Sequence, residues 1–230
     1  MTGAGTGAGT VAVVVPVYGN EATLRTLSAR LAAALAGRDW RLRLVVDASP
    51  DGSAAVAREL AASDGRIAVT ELSANVGQHA ALARGLADEP DADAWVCLDA
   101  DLQDPPEALP VLLDRLAGGG VDAVFAGRRG AYESLGRRLT GTLHRRVAAR
   151  LTGLPADAGA FLAMGPAVRS AVLAAMDDGA PSVVLAVGRA GRPVTSVPVP
   201  RDRRTEGTSA WTRRARLRQS VRSLRWAARR

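Results

Sequence analysis

The sequence predicts an α/β fold, a doubly wound sheet with helices on both faces, followed by a basic C-terminal helix. Three observations carry that reading. Short apolar runs rich in β-branched residues recur along the chain, several ended by a turn or an acid, as strands buried on both faces do. Stretches with apolar residues at three- and four-residue spacing lie between them, as amphipathic helices require. The two kinds alternate through about residue 126, the order that builds a sheet of parallel strands by right-handed crossovers.

Val11–Val17 (VAVVVPV) is the first strand, with Pro16 near its end, where a missing N–H is tolerated. Tyr18-Gly19-Asn20-Glu21 turns the chain. Leu24, Leu27, Leu31 and Leu35 then lay one apolar stripe on a helix over Ala22–Ala36, which Gly37 can end. Leu42–Asp47 is the second strand. Ala48-Ser49-Pro50-Asp51-Gly52-Ser53 is turn chemistry, with Ser53 placed to cap a helix reaching about Ala62. Arg66–Leu72 is the third strand. Asn75-Val76-Gly77-Gln78-His79 leads into a helix to about Ala87, and a glycine-containing loop opening a helix is a ready anion site. Ala94–Asp99 is the fourth strand. Pro105 and Pro106 stop it, and Pro106 opens a helix over Glu107–Leu116. Val121–Ala126 is the fifth strand.

Beyond Gly127 the pattern changes. Ser134–Leu151 reads as an Arg-rich helix, Leu154–Met164 as irregular chain or a short strand, and Gly165-Pro166 as the start of a helix to about Met176. Val183–Ala190 fits either helix or strand, and Pro193–Val199 fits a strand. Trp211–Arg230 is a basic helix with Leu217, Val221, Leu224 and Ala228 on one stripe. The resulting domain reading is a flexible lead-in at 1–10, one domain at 11–210 and the basic helix at 211–230.

With 230 residues and 47% apolar composition the chain can fill a core. No apolar run approaches the roughly 18–20 residues that span a bilayer. The opening MTGAGTGAGT lacks the basic residues and apolar stretch of a signal peptide. The single cysteine, Cys97, falls in the fourth strand, so no internal disulfide forms and a reducing, cytoplasmic compartment is expected.

The net charge of +7 is unevenly spread. Every basic residue is Arg, and residues 201–230 hold eleven of them against Asp202 and Glu206, a net of +9. Residues 1–200 carry a net of −2. A near-neutral globule with a cationic end implies an anionic partner: lipid headgroups, phosphates or nucleic acid. Trp211 and Trp226 flank the basic helix as interfacial anchors do. That favours peripheral contact with an anionic membrane at its cytoplasmic face over docking on the globule or on a homo-oligomeric partner. No base-stacking aromatic platform accompanies the Arg residues, so nucleic acid is not expected.

The chemistry concentrates where the fourth strand ends in Asp99-Ala100-Asp101. Alternate residues of an extended segment point the same way, so the two carboxylates can face one ion. Hard oxygen donors suit Mg²⁺ or Mn²⁺ held jointly with substrate phosphates. The C-terminal ends of strands are also where open α/β sheets bind ligands. The bland alternative is that the two acids simply cap a strand–loop–helix junction, as Asp47 can stabilise its own turn.

The strands end, in order, in Pro16-x-Tyr18, Asp47 and Asp99-x-Asp101. With VVVPVYGNEATL (13–24), VVDASPDGS (45–53), NVGQHAALARGL (75–86) and DAWVCLDADLQDPPEALP (93–110), the chain resembles family-2 glycosyltransferases of the GT-A fold. Within these it is most similar to the polyprenyl-phosphate glycosyltransferases, the dolichol-phosphate mannosyltransferase group and its undecaprenyl-phosphate relatives. Weaker matches follow at FAGRR (125–129), DAGAF (157–161) and RRTEGTSAW (203–211).

The resemblance implies a single GT-A domain with a mixed sheet, acting on a UDP- or GDP-sugar. It implies that Pro16, Tyr18, Glu21, Val45, Asp47, Gln78, Asp99, Ala100 and Asp101 bind the nucleotide-sugar, Asp47 by accepting hydrogen bonds from the base. It implies that Asp99 and Asp101, with Gln103, hold Mg²⁺ or Mn²⁺, and that Arg129, Arg204 and Arg128 face phosphate oxygens. Asp99, Asp101, Arg129 and Arg204 are thus the candidate catalytic residues. The implied reaction is inverting transfer to polyprenyl phosphate, an acceptor already anionic and in no need of a general base. Two alternatives stay open: the same chemistry on a soluble small-molecule or natural-product acceptor, and a non-catalytic nucleotide- or membrane-binding scaffold. The chain departs from the usual pattern at Ala48, where Gly is common, at Leu162 and Ala163, where an Arg is common, and at Ala210, where a Lys is common.

Overall fold

The computed structural model describes residues 9–129, 153–200 and Trp226, without the side chains of Arg128 and Arg129. The first half follows the predicted alternation: β1 (Val11–Val17), α1 (Leu24–Ala34), β2 (Trp40–Asp47), α2 (Ser53–Ser63), β3 (Ile67–Leu72), α3 (Gln78–Asp88) and β4 (Ala94–Cys97). A 3₁₀ turn at Pro106–Ala108 leads into α4 (Leu109–Ala117), followed by β5 (Ala123–Arg129). The second half supplies β6 (Leu162–Met164), α5 (Pro166–Asp177), α6 (Val183–Arg189) and β7 (Val194–Pro200).

The sheet has the order β3-β2-β1-β4-β6-β5-β7. β1, β2, β3 and β4 are mutually parallel, and β5 is parallel to β7. β6 pairs antiparallel with both β4 and β5, so it alone of the seven runs the other way. The chain builds outward from β1 to β3, then crosses back to place β4 on the other side of β1. That reversal creates a topological switch point between β1 and β4, the position where such sheets take ligands.

Side-chain alternation along the strands divides the core in two. Val11, Val13, Val15 and Val17 of β1 pack toward Leu24, Leu27 and Leu31 of α1, Val56 of α2 and Leu112 of α4. Ala12 and Val14 face the other way, into a layer holding Leu82 and Leu86 of α3, Val168 and Val172 of α5, and Val187 of α6. A strand buried on both faces needs apolar residues at every position, which is why VAVVVPV reads as a continuous run. Gly85 of α3 lets that helix approach the sheet closely. A Cβ there would lie 2.4 Å from Val14 Cγ1 and 2.8 Å from Val45 Cγ2.

Several elements differ from the sequence expectation. β4 stops at Cys97 rather than Asp99, because its β6 neighbour pairs no further than Leu162 opposite Cys97. Leu98 N–H still donates to the Val14 carbonyl at 3.2 Å. Ser53 does not cap α2. It is the first helical residue, with Gly52 at the N-cap. Val183–Arg189 is resolved as a helix, with the Ser182 hydroxyl accepting from Leu185 N–H at its start. The predicted helices at 134–151 and 211–230 lie outside the described residues, Trp226 excepted.

Trp226 overturns its reading as a membrane-interface anchor. It is 5% exposed and packs within the core layer of α3, α5 and α6. The Arg189 guanidinium lies 4.7 Å from its ring centroid and donates to its carbonyl at 3.2 Å. A tryptophan at the stripe edge of a basic segment can satisfy its apolar body against protein as well as lipid, and here the cation–π partner is supplied by α6. Among the described residues no helix is long and apolar enough to cross a membrane. Trp226→Ala is expected to destabilise the fold by about 3 kcal/mol or more, read as a lowered urea midpoint. A midpoint equal to wild type would place the ring outside the core.

Candidate functional site

The site forms where the parallel strands release their chains. Pro16 and Val17 stand opposite Val45 and Val46, so Tyr18 and Asp47 leave the sheet side by side. Cys97 pairs with Val14, which delivers Asp99 to the same edge. Arg129 ends β5 opposite Pro200, and its side chain, like those of Arg128 and Arg204, lies outside the described residues.

Two loops at this edge are zipped together. Gly19 N–H donates to Ser49 Oγ at 2.8 Å, Asn20 N–H to Ser53 Oγ at 3.0 Å and Glu21 N–H to Asp51 Oδ2 at 3.1 Å. Gly52 N–H answers by donating to Glu21 Oε2 at 2.8 Å. A Cβ at Gly52 would sit 2.5 Å from the Glu21 carboxyl carbon, so any larger residue here would push the Glu21 side chain off this bond. Burial disfavours the Asp51 charge, but hydrogen bonds from the Ser49 and Ser53 hydroxyls and the Glu21 and Ser53 amides outweigh it and bring its pKa down to about 2. Sequence reasoning missed this zip because its partners are about thirty residues apart. The density of Ser, Asp and Gly in 49–53 was the available signal.

Asp47 is 3% exposed. Its carboxylate receives Val76 N–H at 2.7 Å on Oδ1 and Gly77 N–H at 2.8 Å on Oδ2. Its carbonyl receives the Asn75 side-chain amide at 3.2 Å. The glycine loop before α3 was expected to be an anion site, and those two amides are already met by the protein's own aspartate. Asp47 therefore holds the 75–77 loop, whatever it also does for a ligand. Ala48, next in the chain, has φ 49°, a left-handed conformation that a Cβ disfavours.

Asp99 and Asp101 flank Ala100, whose side chain is buried in the core and whose carbonyl accepts from Thr23 Oγ1 at 2.7 Å. Anchoring Ala100 inward leaves both neighbouring acids half-buried at the edge. Gln78 Nε2 donates to Asp99 Oδ1 at 2.5 Å. Asp101 Oδ1 accepts from Gln103 N–H at 3.1 Å, and Leu102 between them is left-handed at φ 59°. Burial pushes the Cys97 thiol up to about 12, with the Asp99 charge adding to it, so this cysteine is an inert core residue. No group of three or more His, Cys, Asp or Glu able to hold a metal occurs among the described residues. Two hard carboxylates fit Mg²⁺ or Mn²⁺ where a ligand's phosphates complete the shell.

The other expected residues divide by what their side chains can reach. Tyr18 is 43% exposed at the edge and open to a ligand. Val45 is fully buried beneath α3, and Ala100 nearly so, so a ligand can meet these two through backbone atoms alone. Glu21 is engaged with Gly52 N–H. Gln78, expected at the nucleotide-sugar, faces Asp99.

A doubly wound sheet with one reversed strand and an Asp-x-Asp at its switch-point edge is the arrangement of GT-A glycosyltransferases. Residues 12–163 match glycosyl transferase family 2, and the chain belongs to that family. Similar curated relatives include the undecaprenyl-phosphate 4-deoxy-4-formamido-L-arabinose transferases of Pseudomonas aeruginosa, 40% identical over 147 residues, and Edwardsiella ictaluri, 38% identical over 170 residues. These alignments cover 63% and 72% of this chain but 43% and 51% of those proteins. The chain thus spans about half the length of the curated relatives it matches. Among solved structures, glucosyl-3-phosphoglycerate synthase from Mycobacterium tuberculosis in complex with Mn²⁺, UDP and phosphoglyceric acid shares the fold. Its TM-score is 0.67 at 20% identity, over 96% of this chain and 79% of that one. The mannosyltransferase PcManGT from Pyrobaculum calidifontis, in complex with GDP-Man and Mn²⁺, has a TM-score of 0.61 at 18% identity, over 87% of this chain and 58% of that one.

His79 yields a pH prediction. Its Nδ1 is buried without a hydrogen-bond partner, and burial lowers its pKa from 6.5 to about 4. Between those values the unfolded chain binds the proton and the folded chain does not. The His79 contribution is therefore full above pH 6.5 and declines as pH falls toward 4. His79→Gln should flatten the fall of melting temperature across that window; an unchanged slope would mean the ring titrates normally. Ala48→Gly, which relieves the left-handed Cβ, should gain about 0.5–1 kcal/mol in urea denaturation. A loss of stability would refute the strain.

Proposed function

We propose that this chain is a metal-dependent, inverting glycosyltransferase that moves a sugar from a UDP- or GDP-sugar to a polyprenyl phosphate. The observation that carries the reading is Asp99-Ala100-Asp101 set at the switch-point edge of a family-2 chain. The acceptor class is supported by the names of the similar relatives, which are undecaprenyl-phosphate transferases. Tyr18 and the polar surroundings of Asp47 receive the nucleoside, and Asp99 and Asp101, with Gln103 close by, hold Mg²⁺ or Mn²⁺. That ion, when bound, neutralises the diphosphate charge that grows as the glycosidic bond breaks.

The acceptor phosphate oxygen attacks the anomeric carbon from the face opposite the leaving group. The bond to the nucleoside diphosphate breaks with its electron pair, and the anomeric configuration inverts. Because the phosphate is already ionised, no side chain has to remove a proton. Half-buried His79, its pKa lowered to about 4, is neutral near pH 7 and is not needed as a base. Arg129 and Arg204 are proposed to stabilise phosphate oxygens, a contribution that preorganised cations make most strongly in the transition state. The Arg residues of 201–230 are proposed to meet the anionic headgroups of the cytoplasmic leaflet in which such an acceptor resides.

The test is release of nucleoside diphosphate from UDP- and GDP-sugars with Mn²⁺ or Mg²⁺, with and without a short polyprenyl phosphate. Release that depends on the lipid phosphate is expected. Equal release with soluble hydroxyl acceptors would replace the acceptor class. Asp101→Asn should reduce turnover by about 100-fold or more while the fold persists. An active Asp101→Asn protein would remove the metal assignment.

A further inference from the structure

Gln78 opens α3 directly after Gly77 and reaches across to Asp99. We infer that Gln78 is a positioning residue for Asp99, and that the Asn75–Gln78 loop couples the nucleoside end of the donor site to its metal end. The inference rests on the reading of Asp99 and Asp101 as metal ligands, and it replaces the direct nucleotide-sugar contact that the family resemblance implies for Gln78 with a role exerted through Asp99.

The geometry forms one continuous path. Asp47 is fixed by leaving β2 in register with β1 and β3. Its two carboxylate oxygens seize consecutive amides, Val76 and Gly77, at 2.7 and 2.8 Å, and its carbonyl takes the Asn75 amide. Three consecutive residues are thus referred to a single buried acid. Charge-assisted bonds of this kind are the strong ones. Gly77 then turns the chain at φ 87° and ψ 156°, a region that only glycine occupies without strain. The next residue is Gln78, whose Nε2 meets Asp99 Oδ1 at 2.5 Å.

An amide donor on one carboxylate oxygen restrains the rotation of the group. Partners of this kind orient metal ligands, and their loss weakens metal binding. The same path works in reverse. A ligand group that competes for Asp47 shifts the amides of 76 and 77, and with them Gln78. By linkage, whatever nucleoside contact at Asp47 does to metal affinity, the metal does to nucleoside affinity. The path supplies this coupling in addition to the diphosphate bridge.

Three proteins test the inference: wild type, Gln78→Met and Gly77→Ala. Methionine keeps the length and bulk of glutamine without its donor. Gly77→Ala keeps Gln78, and its Cβ meets nothing within 4 Å, so it acts through backbone conformation alone. Free Mn²⁺ is followed by electron paramagnetic resonance during titration with protein in the presence of UDP or GDP. UDP and GDP binding is measured separately in EDTA by calorimetry. In both variants the Mn²⁺ dissociation constant is expected to rise by about 10- to 100-fold, with nucleotide binding in EDTA unchanged for Gln78→Met. Wild-type Mn²⁺ affinity in Gln78→Met overturns the positioning role and leaves the metal reading intact. Loss of nucleotide binding in EDTA for Gln78→Met makes Gln78 a nucleotide contact and also overturns the role. Absence of nucleotide-dependent Mn²⁺ binding in wild type overturns the metal reading and the inference together.

Discussion

A sheet covered on both faces by helices can present chemistry only where its strands end, and that constraint organises this molecule. Every position of β1 except half-buried Pro16 is committed to one core layer or the other. Parallel pairing then brings the ends of β1, β2, β4 and β5 to one edge. The edge must satisfy the backbone groups that the ladder no longer pairs, since unpaired buried amides are costly. The protein meets that demand with the side chains of Ser49, Asp51 and Glu21 from the loops, of Asp47 at the end of β2 and of Ser53 at the start of α2. The groups nearest a ligand are therefore also the groups holding the loops in place.

This double use explains which parts of the site could be read in the sequence. Apolar periodicity is local, so β1 and the helix carrying Leu24, Leu27 and Leu31 were legible. The place of the acid pair just beyond β4 was legible too, although an Asp-x-Asp after an apolar run serves as readily to cap a strand–loop–helix junction, and the flanking segments carried the rest of the reading. The assignment of Asp47 was half legible. Its place at a strand end was plain, but its partners, Val76 and Gly77, lie some thirty residues on and contribute only backbone N–H groups, which leave no trace in composition. Ser53 misled for a related reason. A serine at the start of a helix is a good cap in isolation, and the nearby Asn20 amide claimed its hydroxyl instead. Trp226 misled because an amphipathic aromatic suits a core and a membrane interface equally, and only its burial distinguishes them.

Backbone strain follows the same map. Ala48 and Leu102 are the two non-glycine residues with positive φ among the described residues, and each stands one position after an edge aspartate, Asp47 and Asp101 respectively. A left-handed residue reverses the chain sharply and costs about 1–2 kcal/mol, so it persists where surrounding contacts over-determine it. At Leu102 those contacts are visible. The side chain packs against the first core layer while Gln103 N–H bonds back to Asp101. The reversal keeps the Asp101 carboxylate beside its own loop instead of letting it extend into solvent. Ala48 gives up the relief of a missing Cβ, yet the Asp47 contacts on one side and the Ser49 bond to Gly19 on the other still hold the turn.

The burial of Trp226 changes how the cationic C-terminal charge is to be understood. An isolated amphipathic anchor would bind lipid through its own apolar stripe, and its tryptophans would supply much of the energy. Here one of them is spent on the globule, where Arg189 covers its ring and bonds its carbonyl. The described chain is thus packed into the fold at Pro200, the end of β7, and again at Trp226. Attraction to an anionic surface would then be mainly electrostatic and strongly weakened by salt.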